Sequence, residues 1–146
     1  MSFQLELPAP RETGTLNQMN RLTVLELCAG AGGQALGYDQ AGFEHAGLVE
    51  IDKHACATLR VNRPEWNVMQ RDLTGFSGTS FKGVDLIAGG LPCPPFSVAG
   101  KQLGRNDERN LFPPAIRLVD ETRPRAVMIE NVRGIRKCPG HLGRGL

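Results

Sequence analysis

The sequence predicts an α/β fold, a mostly parallel sheet of about five strands with helices on its faces. Three observations support this prediction. Short apolar runs alternate along the chain with segments of helical period, which is typical of strands joined by helices. Glycines or carboxylates follow these runs, at the strand ends where such sheets bind ligands. The 146 residues are 40% hydrophobic and 22% charged, which fits one globular domain.

The apolar pattern and the helix start and stop signals place the individual elements. Strands are predicted at 22–27, 46–51, 67–71, 84–88 and 126–129. Helices are predicted at 34–40, at 53–61 with Asp52 as N-cap, and at 107–121, where apolar residues recur at helical spacing. Residues 1–20 are expected to form a flexible lead, 21–134 the domain, and 135–146 an irregular basic tail.

Hydropathy and cysteine content argue against some classes of protein, whereas the net charge does not. The net charge of +2 argues neither for nor against nucleic acid, because a basic face can coexist with a nearly neutral total. No apolar stretch approaches the length of a membrane span, so we expect a soluble, cytoplasmic protein without membrane contact. Two metal ligands are conceivable at Cys138 and His141, but no CxxC pair accompanies them, and we expect neither a metal nor a disulfide framework.

A glycine-rich segment follows the first predicted strand. Residues 30–35 fit the pattern G-x-G-x-x-A between a strand and a helix, and Glu50 lies twenty positions after Gly30 at the end of the next strand. Such glycines let a ligand approach the backbone, and such a carboxylate can accept hydrogen bonds from ribose hydroxyls. Asp72, after the third strand, could accept a hydrogen bond from an adenine amine or cap a turn. The pattern predicts a nucleoside site, for which a nicotinamide dinucleotide and S-adenosylmethionine both remain possible.

A thiol follows the fourth predicted strand. Residues 89–97 read Gly-Gly-Leu-Pro-Cys-Pro-Pro-Phe-Ser, so Cys93 lies in a loop that three prolines restrict. This arrangement presents the cysteine at the carboxyl end of the sheet, where it can act as a nucleophile. A proline-rich turn with an incidental cysteine is the alternative interpretation.

Together these segments resemble the DNA (cytosine-5) methyltransferases over about residues 21–134. The resemblance rests on six motifs in the family's order, which is highly specific; they occupy residues 26–33, 50–52, 71–73, 89–97, 107–113 and 130–132. It implies a Rossmann-like fold that binds S-adenosylmethionine and DNA. It also implies that Cys93 attacks C6 of a flipped cytosine, that Glu130 holds the N3 edge of the ring, and that Asn131 pins the cysteine loop.

The resemblance also implies roles for the remaining motif residues. The implied cofactor contacts are Cys28, Ala29, Gly30, Gly32, Gly33, Glu50, Ile51, Asp72, Leu73, Pro92 and Leu111. The implied DNA contacts are Ser97, Lys101 and Arg105. Three positions depart from the family: Cys28 replaces a phenylalanine, Ile51 replaces an aromatic residue that stacks on adenine, and Pro94 replaces a glutamine.

The family's later motifs, which support the flipped base and read the DNA sequence, do not appear in residues 135–146. We therefore expect a truncated or split enzyme that is inactive alone. In the split case, a complementary C-terminal chain is the expected partner. Two alternatives within this interpretation are a non-catalytic fragment that binds the cofactor and a family member that methylates tRNA. A nicotinamide-dependent oxidoreductase would leave Cys93 and Glu130 without roles.

Overall fold

The computed structural model describes residues 21–92 and 110–131, which form a five-stranded sheet with helices on both faces. All pairings in the sheet are parallel, and the predicted fold class is confirmed. The strands are β1 Thr23–Leu27, β2 Glu44–Glu50, β3 Val68–Gln70, β4 Leu86–Gly90 and β5 Ala126–Glu130. The helices are α1 Gly33–Gln40, α2 Lys53–Asn62 and α3 Phe112–Thr122, with a 3₁₀ turn at Thr79–Phe81.

Several predictions concern residues outside the described part of the chain. These are the lead at 1–20, the tail at 135–146, the nucleophile Cys93 and the DNA contacts Ser97, Lys101 and Arg105. Within the described part, no helix is long and apolar enough to cross a membrane.

The strand order β3-β2-β1-β4-β5 reverses direction at β1. The chain runs outward from β1 through β2 to β3, and then returns to pair β4 with the other side of β1. Ligands in open α/β sheets bind beyond the carboxyl ends of the strands at such a reversal. The fold therefore brings the glycine loop after β1 next to the end of β4, from which residues 91 and 92 lead towards Cys93.

The core lies on both faces of β1, because successive side chains of a strand point to opposite faces. Leu25 and Leu27 pack with Leu118 of α3 on one face, and all three side chains are fully buried. Val24 packs with Tyr38 of α1 on the other face, where α2 also contributes Leu59 to a neighbouring cluster. Burial on both faces explains why the strands read as continuous apolar runs rather than as alternating ones.

Strand β4 differs from its prediction, since it spans Leu86–Gly90 rather than 84–88. A glycine pair normally signals the end of a strand, but here both glycines remain in the sheet and pair with β5. A Cβ atom on Gly89 would lie 2.7 Å from the backbone oxygen of Leu27, so the close approach of β1 excludes any side chain at this position. Gly89 and Gly90 therefore belong to β4 and also lead directly to the segment that carries Cys93.

Helix α3 also begins later than predicted. It starts at Phe112, whereas the prediction began at 107, and the segment 107–109 lies outside the described residues. Asn110 accepts a hydrogen bond from the Phe112 backbone N–H at 3.1 Å and so precedes the helix as a turn. Pro113 lies in the first turn, where its missing N–H removes no helical hydrogen bond.

Strand β5 forms one edge of the described sheet. Its side chains are largely exposed: Val127 and Met128 retain 44% and 46% of their accessible surface. An edge strand with apolar side chains and free backbone groups is a template for pairing with further polypeptide.

Candidate functional site

The loop after β1 is shaped by residues in the left-handed backbone region. Gly30 and Gly32 have φ angles of 56° and 94°, and Cys28 has a φ of 55°, which is uncommon for a residue with a side chain. Gly32 is the N-cap of α1, and a Cβ atom there would lie 2.5 Å from a methyl carbon of Leu59. The left-handed backbone at position 32 therefore favours glycine, and a side chain there would also displace the Leu59 methyl group of α2.

Glu50 links the loop after β1 to the loop after β2. One carboxylate oxygen accepts a hydrogen bond from the Gly30 backbone N–H at 2.7 Å. The other accepts hydrogen bonds from the backbone N–H groups of Ile51 and Asp52, both at 2.8 Å. Hydrogen bonds to an ionised acceptor are the stronger ones, so this buried side chain fixes both loops in place. Sequence reasoning predicted a ribose acceptor here and missed this second, structural role.

A cavity of about 520 Å³ opens at the carboxyl ends of the strands. This volume is in the range of small-molecule sites. Seven of the predicted cofactor residues line it: Cys28, Glu50, Ile51, Asp72, Leu73, Pro92 and Leu111. Four further residues line it that the sequence reasoning did not assign: Val49, Arg71, Thr74 and Gly90. Residues from four strand ends and from the start of α3 thus surround one space.

Asp72 has the turn role that the sequence allowed. Its carboxylate accepts a hydrogen bond from the Thr74 backbone N–H at 2.9 Å, and this bond lowers the pKa of the Asp72 carboxyl. The side chain is therefore an ionised acceptor at the cavity wall. Ile51, which stands where the family has an aromatic residue, is 63% exposed at the same cavity.

A smaller cavity of about 240 Å³ adjoins the first. It is lined by Glu26, Cys28, Ala29, Gln34, Gly90 and Glu130, so it shares Cys28 and Gly90 with the larger cavity. Of the predicted cofactor residues, Ala29 lies here, while Gly30, Gly32 and Gly33 line neither cavity. The three glycines shape the loop beside these spaces.

The end of β5 lies next to the entrance of the cysteine loop. Glu130 pairs with Gly90 in the sheet, and it is one of the residues that line the smaller cavity. The side-chain amide of Asn131 donates a hydrogen bond to the backbone oxygen of Leu91 at 3.1 Å. Leu91 precedes Cys93 by two residues, so this bond holds the start of the cysteine loop against the strand that carries Glu130.

Glu26 is a site residue that the sequence reasoning did not single out. It is 1% exposed, neither carboxylate oxygen has a hydrogen-bond partner, and it lines the smaller cavity. Burial raises the pKa of Glu26 to about 7, because the charged form loses its hydration. The sequence feature that could have identified Glu26 is its position as a charged residue inside the otherwise apolar strand β1.

The two described cysteines are poor nucleophiles. Burial, and then the neighbouring charge of Glu50, raise the pKa of Cys28 to about 12. Burial also raises the pKa of the Cys56 thiol, which donates to the backbone oxygen of Glu50. Since the thiolate is the reactive form, neither residue suits covalent catalysis. Residues 21–92 and 110–131 also contain no cluster of His, Cys, Asp or Glu placed to hold a metal ion.

Comparison with known proteins decides between the nucleoside-binding families. Residues 22–140 match the family model for C-5 cytosine-specific DNA methylases. The chain belongs to this family. Its fold is the Rossmann-like fold of S-adenosylmethionine-dependent methyltransferases, so the interpretation as a nicotinamide-dependent oxidoreductase is set aside.

The relatives of this chain are longer than the chain itself. It is 63% identical to the type II methyltransferase M.NgoMIV of Neisseria gonorrhoeae, over 79% of this chain and 37% of that protein. A putative DNA modification methyltransferase from an E. coli prophage superposes with a TM-score of 0.69 at 36% identity, over 82% of this chain and 35% of the other. A Spodoptera frugiperda DNMT2 mutant superposes with a TM-score of 0.64 at 30% identity, over 81% of this chain and 38% of the other. The chain therefore spans little more than a third of each of these three proteins.

Proposed function

We propose that this chain supplies the cofactor site and the attacking thiol of a DNA (cytosine-5) methyltransferase. The observation that carries the proposal is the pair of adjoining cavities at the carboxyl ends of the strands, lined by Glu50, Asp72 and Leu111 on one side and by Glu130 on the other. Family membership supplies the reaction, which is methylation of C5 of cytosine.

The residues around the larger cavity fit an adenosine group. Glu50 would accept a ribose hydroxyl, because its carboxylate has about four acceptor positions and backbone N–H groups occupy three. Asp72 would accept the adenine amine, while Ile51 and Leu111 would provide apolar walls. The methionine end would extend past Cys28 along the glycine loop. S-adenosylmethionine supplies an electrophilic methyl group on its sulfonium.

The chain's own side chains would activate the cytosine. The Cys93 thiolate would form a bond to C6, and the displaced electron pair would move onto the ring, where Glu130 holds N3 and the exocyclic amine. C5 would then attack the methyl group, and the bond between that carbon and the sulfonium would break, so that S-adenosylhomocysteine leaves. A base would remove the proton from C5, and the electron pair of the C5–H bond would expel the thiolate as the bond between sulfur and C6 breaks. C6 is inaccessible in a stacked duplex, so the base must be flipped out. The hydrogen bond from Asn131 to Leu91 supports this assignment because it ties the two catalytic segments together.

The DNA contacts remain part of the proposal. Ser97, Lys101 and Arg105 follow the thiol in a loop that would close over the phosphate backbone. Such contacts position the duplex and carry no sequence information themselves.

We further propose that transfer requires a complementary polypeptide. The support is the exposed outer edge of β5, with its apolar side chains Val127 and Met128. The chain also spans 37% of M.NgoMIV, so most of that protein has no counterpart among the matched residues. The polypeptide would supply the surface that supports the flipped base and reads the target sequence.

The experiment combines the purified chain with labelled S-adenosylmethionine and cytosine-containing DNA. We expect cofactor binding without methyl transfer, and transfer when the part of M.NgoMIV that this chain does not match is added. Cys93→Ala is the matched control and should abolish transfer while leaving cofactor binding intact. Turnover by the chain alone would contradict the need for a second polypeptide.

The same assay separates the alternatives. Cofactor binding with no transfer under either condition would favour the non-catalytic fragment. Transfer to tRNA but not to DNA would favour the tRNA-methylating alternative, to which the similarity to the Spodoptera DNMT2 gives some support.

A further inference from the structure

Arg117 of α3 lies behind one wall of the larger cavity without lining it. One guanidinium nitrogen donates hydrogen bonds to three backbone oxygens, those of Leu73 at 3.1 Å, Thr74 at 3.3 Å and Phe76 at 2.8 Å. A second nitrogen forms an ion pair with Glu121 one helical turn later. One side chain thus binds three carbonyl groups of a loop that lies more than forty residues earlier in the chain.

Glu121 extends the same contact to the far end of this loop. Its second carboxylate oxygen accepts a hydrogen bond from the Gly78 backbone N–H at 2.6 Å. That bond, followed by the hydrogen bond from Arg117, lowers the pKa of the Glu121 carboxyl. The pair therefore fixes both ends of residues 73–78 to α3, and we call this set of contacts the α3 clamp.

The clamp joins two walls of the cofactor cavity. Asp72, Leu73 and Thr74 form one wall, and Leu111, at the start of the helix that carries Arg117, belongs to another. Residues 73–78 contain no strand or helix that would define their position. Leu73 and Phe76 pack against the hydrophobic core, and the bonds that the guanidinium and Glu121 make fix the backbone of this loop relative to α3.

We propose that Arg117 is a positioning residue for adenine recognition. It holds residues 72–74 so that the Asp72 carboxylate faces the amine of the bound adenine. The inference rests on the proposed cofactor site. It predicts that loss of the guanidinium reduces discrimination between purines, in addition to any effect on affinity.

The test measures dissociation constants of the 146-residue chain by calorimetry for S-adenosylhomocysteine and for its inosine analogue. The analogue replaces the adenine amine with a carbonyl, which cannot donate to Asp72. We expect the wild-type chain to prefer the adenine ligand by about tenfold, since hydrogen bonds to charged groups have effects of this size. In Arg117→Gln the preference should fall to about twofold or less.

A merely structural role of Arg117 would give a different result. Partial unfolding weakens both ligands by the same factor and leaves their ratio unchanged, so the ratio reports positioning alone. Arg125→Gln is the matched control, because Arg125 is exposed and pairs with Asp85 away from the cavity lining. If Arg117→Gln does not fold, Arg117→Lys provides the same test. A lysine keeps the charge, but its one ammonium nitrogen cannot replace two guanidinium nitrogens that bind the three carbonyl oxygens and Glu121 at the same time.

The outcomes distinguish this inference from the proposed function. Binding of neither ligand to the wild-type chain would contradict the cofactor site and the inference together. Wild-type binding with a preference that both Arg117 variants retain would overturn the inference and leave the cofactor site standing. We expect the Arg117 variants to lose the preference for S-adenosylhomocysteine over its inosine analogue, and we expect Arg125→Gln to retain it.

Discussion

Replacing Glu26 with glutamine is expected to remove a pH dependence from the stability of this domain. The carboxyl is 1% exposed in the centre of the sheet and has no hydrogen-bond partner. Burial raises its pKa from an ordinary 4.5 to about 7. A glutamine has nearly the same shape but carries no titratable proton, so the variant isolates the ionisation.

The magnitude follows from the two values of the Glu26 pKa. Below pH 4.5 the group is protonated in the folded and unfolded chains, and it adds no pH dependence. Between pH 4.5 and about 7 the unfolded chain releases the proton while the folded chain retains it, so stability falls as pH rises. Above pH 7 both states are ionised and the loss is complete, at about 3 kcal/mol.

Urea unfolding of the wild-type chain and of Glu26→Gln, followed by circular dichroism at intervals from pH 4 to 8.5, measures this loss. The difference between the two free energies of unfolding cancels the other titrating groups, and it should change by about 3 kcal/mol in favour of the variant as pH rises. A difference that stays constant over this range would refute the assignment of a buried, neutral carboxyl.

Three further predictions concern the loops around the cavities. Gly32→Ala should destabilise the chain by about 1–3 kcal/mol in thermal or urea unfolding, because it forces a left-handed residue against Leu59; unchanged stability would contradict the described loop. Glu50→Gln should lower the free energy of unfolding by about 2 kcal/mol, because the charged acceptor that binds the Gly30 N–H becomes neutral, and calorimetry should show weaker cofactor binding. Unchanged stability together with unchanged cofactor binding would argue against the linking role of Glu50. Burial raises the pKa of Cys28 to about 12, so little of the thiol is ionised at pH 8. Peptide mass spectrometry should show that Cys28 reacts with iodoacetamide at least about a hundredfold more slowly in the folded chain than in urea. Equal reaction rates would contradict the burial of this thiol.

Much of the fold could be predicted because its signals are local. The apolar run before Cys28 becomes β1, and Asp52 caps α2 through hydrogen bonds to the backbone of His54 and Ala55, as its position before the helix indicates. The cavity lining followed from the fold class, since parallel strands end at one edge of a sheet. Position along the strands therefore predicted which residues lie near this cavity, while their roles in cofactor binding stay predictions.

Other features depend on contacts that no local pattern reveals. Gly89 remains in β4 because β1 approaches closely, whereas its sequence neighbourhood suggested a turn. Arg117 contacts carbonyl groups more than forty residues away, so a helical spacing rule identifies only its pairing with Glu121. Glu50 reads as a ligand residue from its spacing, yet its backbone partners appear only when two loops are brought together.

The most direct test of the account is covalent trapping on DNA that carries 5-fluorocytosine. Fluorine at C5 cannot leave as a proton does, so an enzyme that attacks C6 through a thiolate remains bound to the methylated base. With S-adenosylmethionine and the complementing part of M.NgoMIV present, mass spectrometry should find the DNA linked to Cys93, and Cys93→Ser should give no adduct. Methylation that proceeds in Cys93→Ser, or an adduct mapped to another residue, would contradict the central claim.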